Sequence, residues 1–298
     1  MGNNLKEAIL KTIIYADIFD YPLTKDEIWR FLICEDGQKI KKKEFKDKFK
    51  NLSSAVVFKD EFYSLSKREN LIDKRQRREK ESKNKLCLAE KIISYLSCLP
   101  TIYLIGISGA LSMMNSEKDD DIDLFVITKK NTLWITRLFL VLFLALLKRR
   151  RKRGDKDVRD KICLNFLIDE NVLSLPKKMQ NLYGAHEVAQ MRPVFERNNT
   201  YEKFINNNLW VNLFLPNVFE HEAKLKDGQN SKSFFNTVLC LFLSCFMLEA
   251  VARKLQFWHM KKHITKEIIE NHFLAFHPKD YEGLVLKKYK KGLKFILK

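Results

Sequence analysis

The spacing of apolar residues changes several times along this chain, and each change marks a predicted element. Leu5, Ile9, Ile13 and Ile14 recur at helical spacing over residues 5–18, until FDYPLT breaks the pattern at Pro22. Thr24, followed three residues on by Glu27, is a capping box that predicts a second helix over 25–33. KKKEFKDKFKNL (41–52) predicts a third, with Phe45, Phe49 and Leu52 inward and lysines outward. AVVFKDEFYSL (55–65) reads as two short strands around Lys59-Asp60-Glu61, a hairpin. Three short helices followed by a hairpin is the order of a winged helix-turn-helix, assigned here to residues 1–66. Such a unit docks either nucleic acid or protein.

Residues 67–99 continue as one long helix that connects to a second domain. Its first half carries nine Lys or Arg against four acidic residues between Lys67 and Lys85, and reads as a solvated connector or a nucleic-acid-facing stripe. From Thr101 the period shortens. TIYLIGI is a strand, SGALSMM opens a short helix, DIDLFVIT is a strand, 132–147 a helix and KICLNFLI (161–168) a third strand. This alternation predicts a mixed α/β sheet over 67–180. Beyond 180 the pattern is helical to the end, so 181–298 is expected as a C-terminal helical domain. The fold class is therefore α+β and multidomain.

Two apolar runs, 133–147 and 234–248, fall short of the ~20 residues that span a bilayer, and the first contains Arg137; both predict buried helices. A peripheral membrane contact is the sharper alternative, because LysArgArgArgLysArg (148–153) follows the first run. Six cysteines (34, 87, 98, 163, 240 and 245) show no CxxC pair, and MGNNLKEAILK is no secretory signal. They read as reduced core thiols of a cytoplasmic protein. The net charge of +18 calls for a polyanionic partner: nucleic acid, nucleotide or anionic lipid.

The chemistry concentrates between Leu104 and Thr128. Alternate residues of a strand share a face, so Asp121 and Asp123 point one way while Ile122 and Leu124 enter the core. Two same-face carboxylates repel unless a cation lies between them, and Mg²⁺ suits such oxygen ligands alongside substrate phosphates. Just upstream, Gly109 permits close backbone approach, Ser108 adds a hydroxyl, and the following helix start offers N–H groups to phosphate. Asp119 and Asp120 read as solvated loop acids, His186 as a packing or surface residue, and Met113 and Met114 as core.

The arrangement of SGA (108–110), ten residues, then DIDL (121–124) resembles the hG[GS]…DhDh signature of the DNA polymerase β-like nucleotidyltransferase superfamily. The flanking TIIYADIFDYPLTKDEIWRFL, KICLNFLIDE, LYGAHEVAQMRPVF and FHPKDY are similar to segments of bacterial and archaeal proteins with that domain behind a winged helix. The resemblance implies transfer of an NMP from an NTP to a hydroxyl acceptor. It makes Asp121 and Asp123 ligands of one or two Mg²⁺ ions, and Ser108, Gly109 and Ala110 the triphosphate cradle. It also implies a third carboxylate on a later strand, where this chain offers Asn165 between flanking Asp160 and Asp169. Without that acid, the alternative is a catalytically impaired, nucleic-acid-binding or regulatory module on the same fold.

Overall fold

The computed structural model describes residues 2–34, 37, 39–48, 55–219, 246–263, 267–276 and 281–296. The first elements are α1 (Gly2–Asp17), β1 (Leu23–Thr24), α2 (Lys25–Arg30), α3 (Lys42–Lys48) and the hairpin β2 (Val56–Lys59) and β3 (Phe62–Leu65). The capping box forms: Thr24 Oγ1 accepts the Glu27 amide, and the Glu27 carboxylate accepts the Thr24 amide at 2.8 Å. Asp60 and Glu61 both take left-handed backbone, the geometry of a two-residue hairpin turn. Strand β1 adds to the hairpin in the antiparallel order β1–β3–β2. Ile9, Ile13, Ile28, Trp29 and Phe45 form the core beneath it. Phe49 and Leu52, expected in that core, lie outside the described residues.

Helix α4 (Asn70–Leu96) is only in part a solvated connector in its charged half. Arg75 is buried: it forms a two-pronged pair with Glu27 at 2.9 Å and lies over the rings of Tyr21 and Phe62. Arg68 and Lys74 converge on Asp20. Arg75 and Lys74 thus anchor α4 to the first unit, while Arg77, Lys80 and Lys83 stay exposed as a solvated face.

The larger sheet has the order β7–β4–β5–β6–β9–β8, built from β4 (Ile102–Ile107), β5 (Ile122–Thr128), β6 (Ile162–Asp169), β7 (Arg192–Glu196), β8 (Ile268–Ile269) and β9 (Phe273–Ala275). Only β5 and β6 run parallel, so the sheet is mixed. The remaining helices are α5 (Gly109–Ser112), α6 (Leu133–Leu146), α7 (Leu182–Gln190), α8 (Thr200–Asn206), α9 (Phe246–Met260) and α10 (Tyr281–Ile296). One face carries Ile105, Leu124, Val126 and Leu167 against α4, α6 and α9. The other carries Phe125, Ile127, Phe166 and Ile168 against α1, α7, α8 and α10.

Residues 181–298 are thus not a helical domain of their own, since β7, β8 and β9 complete the sheet. Strands of two, three and five residues are too short to show a period, and Pro193 sits on the edge strand, where a missing amide is tolerated. No described helix is long and apolar enough to cross a membrane. Helix α6 buries Trp134, Leu140 and Leu144, and both Glu249 oxygens accept amides of its first turn at 2.8 Å. Of the second apolar run, 234–245 lies outside the described residues. Cys34 is buried and Cys163 half-buried, but Cys87 and Cys98 are exposed, against the expectation of core thiols; Cys240 and Cys245 fall outside the described residues.

Candidate functional site

The turn leaving β4 carries the first half of the site. Ser108 is extended, and its amide donates to the Asp123 carbonyl at 3.0 Å, holding the turn against β5. Gly109 follows at φ +64°, a conformation side chains disfavour, and a Cβ there would stand 2.7 Å from Asp123 Oδ2. Backbone conformation and space both demand glycine. Ser108 is buried, and its Oγ has no hydrogen-bond partner. Buried hydroxyls are normally satisfied, and this one is an exception shared with the Ser64 hydroxyl. Ala110 is exposed in α5, the short helix expected to open at SGALSMM, which is a single turn long.

The loop into β5 sorts its acids. Asp119 is exposed, whereas Asp120 accepts the Glu117 amide at 2.7 Å and gives its carbonyl to Lys85 at 2.6 Å. Asp120 is a structural loop closure rather than a merely solvated acid. Lys85 also pairs with Asp160 at 3.0 Å. At the far end of β6, Asp169 is buried and accepts from Asn131, Asn171 and His272. Both acids flanking β6 are therefore engaged elsewhere.

Parallel pairing of β5 with β6 sets Asp123 opposite Cys163. A carboxylate oxygen of Asp121, one of Asp123 and the Cys163 sulfur lie within 4.8 Å of one another. Asn165, expected in the third-ligand position, is the extra residue of a bulge, since Leu124 pairs with Leu164 and Phe125 with Phe166. Cys163 is the residue the fold brings to the acid pair. Asp121 is in turn salt-bridged to Arg151.

Burial, then the charge of Asp121, pushes the Asp123 carboxyl up to about 7; a hydrogen bond from Cys163 and the nearby Arg151 act in the opposite sense. Burial, then the two aspartates, holds the Cys163 thiol well above its ordinary value, so it keeps its proton. Glu187 of α7 also adds its charge to the field at Asp123. Burial lifts Glu187 itself to about 7, against a hydrogen bond from Tyr183 one turn earlier. His186 is a packing residue: it is buried, stacks on Tyr15 at 4.0 Å, and burial lowers it to about 3, leaving it neutral. Met113 and Met114 are partly buried and pack against the core as expected.

In the sequence Cys163 reads only as a core thiol and Glu187 draws no reading; the one weak signal for Glu187 is its spacing of four from Tyr183 on a helix. The donor set fits a hard divalent cation at Asp121 and Asp123, two oxygen ligands on one face beside an unsatisfied buried hydroxyl. A protonated thiol serves such a cation as a neighbour rather than a ligand. Together the residues can hold a cation, accept a proton near neutrality and admit backbone-close approach at Gly109. No family model, curated protein or solved structure matches this chain.

Proposed function

We propose that this protein is a Mg²⁺-dependent nucleotidyltransferase, moving an NMP from an NTP to a hydroxyl acceptor. The observation that carries the reading is the contact of Asp123 with Gly109 beside the unpartnered Ser108 hydroxyl. A same-face acid pair abutting a left-handed glycine and an orphaned hydroxyl is what a metal-bound triphosphate needs, and it matches the motif resemblance. Asp121 and Asp123 would hold Mg²⁺, whose chemistry when bound is charge neutralisation of the triphosphate and of the leaving pyrophosphate. Ser108 Oγ donates to a phosphate oxygen, and Gly109 lets the chain pass close beneath it.

In the reaction the acceptor oxygen forms a bond to the α-phosphorus, the bond to the β-phosphate oxygen breaks, and pyrophosphate leaves. The acceptor's proton passes to a carboxylate poised near neutrality. Glu187 suits that role, at about 7 and not committed to the cation. Arg151 occupies the cation's place on Asp121 until ligand arrives, and can then turn to phosphate.

A second reading is favoured by Cys163, which stands where a third carboxylate would serve catalysis: a nucleotide-binding regulatory module, with nucleic acid docking on the basic surface. Incubation with each labelled NTP, Mg²⁺ and cell extract separates the two. Label on an acceptor with matching pyrophosphate release, absent in Asp121→Asn/Asp123→Asn, supports transfer. NTP binding without pyrophosphate release for any nucleotide supports the module.

A further inference from the structure

A cavity of about 780 Å³ opens beyond the half of β6 that β9 leaves unpaired. Its walls are α6, the end of α9, and the basic segment after α6. It lies against the face of β5 and β6 that bears Ile122 and Ile162, opposite the one bearing Asp123, and meets the aspartate site at Arg151 and Cys163. Five cationic side chains line it (Arg137, Arg150, Arg151, Lys152 and Arg153) against two acidic ones, Asp155 and Glu267. Arg151 is spent on Asp121, Arg153 on Glu267, and Asp155 pairs with Lys161. Among the described residues, Arg137 and Arg150 form no ion pair, although the Asp155 charge acts on Arg150.

Arg137 is the decisive one. It projects from an otherwise apolar helix and is buried, with one nitrogen on Gln256 and its guanidinium 4.7 Å over the Phe276 ring. Its Nε is buried with no hydrogen-bond partner. A buried guanidinium without a counter-charge is costly and is ordinarily compensated by an anion. Burial and then Arg150 lower it to about 10, which still leaves it charged at neutral pH. Nor is the basic segment a loose solvated run. The Arg150 amide donates to Leu144, the Arg151 amide to Ile162, and the Ile162 amide returns to Arg149, so the arginines are tied alongside β6.

We propose that this cavity is a phosphoryl-binding site in which Arg137 and Arg150 hold a phosphate group of a ligand. Planar guanidinium groups match phosphate oxygens by paired hydrogen bonds. The site lies outside the Asp121–Asp123 cradle and stands whether or not that cradle holds a nucleotide. Two sources offer the same chemistry: a soluble phosphate ester, or the headgroup of an anionic lipid. The lipid source is suggested by the exposed Phe139, Leu142 and Leu146 on the outer side of α6.

The test is calorimetric titration with inorganic pyrophosphate in EDTA, which removes any metal route, beside co-sedimentation with phosphatidylcholine vesicles with and without phosphatidic acid. Wild type, Arg137→Met, Arg150→Gln and Asp123→Asn are compared after circular dichroism shows each folded. Binding of pyrophosphate by wild type and Asp123→Asn, weakened at least about tenfold in both arginine variants, supports a soluble ligand. Sedimentation only with phosphatidic acid, lost in the same two variants, supports a headgroup. No binding in either assay, or binding indifferent to both arginine variants, overturns the proposal. Arg150 is half-buried in a loop, so its variant keeps the test decisive if Arg137→Met fails to fold.

Discussion

Asp123 Oδ2 occupies the space that a side chain at Gly109 would need, 2.7 Å from the position of its Cβ. Two elements that diverge in sequence are thereby locked together by the absence of one methyl group. Gly109→Ala is expected to cost about 1–2 kcal/mol from the left-handed backbone alone, and to displace the Asp123 carboxylate besides. Urea denaturation should read the first effect and Mg²⁺ titration the second. Ala110→Ser, one residue on and exposed, should leave both unchanged; equal damage at the two positions would remove the special status of Gly109.

The raised carboxyls predict an unusual pH dependence. Asp123 and Glu187 ionise near 7 when folded, against 3.8 and 4.5 as the ordinary values. Between about pH 4 and 7 these two carboxyls hold more protons folded than unfolded, so their share of metal-free stability falls as pH rises and levels off above 7, opposed up to about pH 6.5 by the buried, neutral His186. Asp123→Asn or Glu187→Gln should flatten part of that slope and stabilise the protein at pH 8 by on the order of 1–2 kcal/mol each. Denaturation in EDTA from pH 5 to 8 checks this. A pH slope unchanged from wild type in both variants would contradict it.

Replacing Arg151 or Cys163 should tighten metal binding by different routes. Arg151→Gln frees Asp121, so Mg²⁺ alone should bind about fivefold more tightly, ~1 kcal/mol, while Mg²⁺–NTP binds more weakly for want of a phosphate partner. Cys163→Asp adds an oxygen ligand opposite Asp123 and should tighten Mg²⁺ about tenfold, with a loss of metal-free stability from three crowded charges. Calorimetry with MgCl₂ and with Mg²⁺–ATP distinguishes the two variants.

Arg75 ties α4 to the first unit through Glu27, with both groups largely removed from water. Arg75→Ala strands the Glu27 charge and should cost about 3–5 kcal/mol. Arg75→Met/Glu27→Leu, which removes both charges, should recover most of it in a thermal or denaturant melt.

What could be read in advance was local. The Thr24–Glu27 capping box needs only four residues, and the shared face of Asp121 and Asp123 follows from strand alternation within a single element. Cys163 could not be found that way. Its position opposite Asp123 depends on the β5–β6 register, and the bulge at Asn165 breaks the alternation that would otherwise be counted along KICLNFLI. Glu187 comes near enough for its charge to act on Asp123 only because α7 packs over the face of the sheet that carries Phe125. Likewise β9 has three residues and takes its identity from pairing with β6, information that no window of that length contains.

The central claim is that Asp121 and Asp123 form a metal–triphosphate cradle with Ser108 and Gly109. Isothermal titration of wild type and Asp121→Asn/Asp123→Asn with Mg²⁺–ATP and Mg²⁺–GTP tests it most directly. Wild type is expected to bind at least one nucleotide saturably, and EDTA and the double substitution are each expected to abolish that binding. Failure of the wild type to bind either nucleotide, or equal binding by the variant, would contradict it.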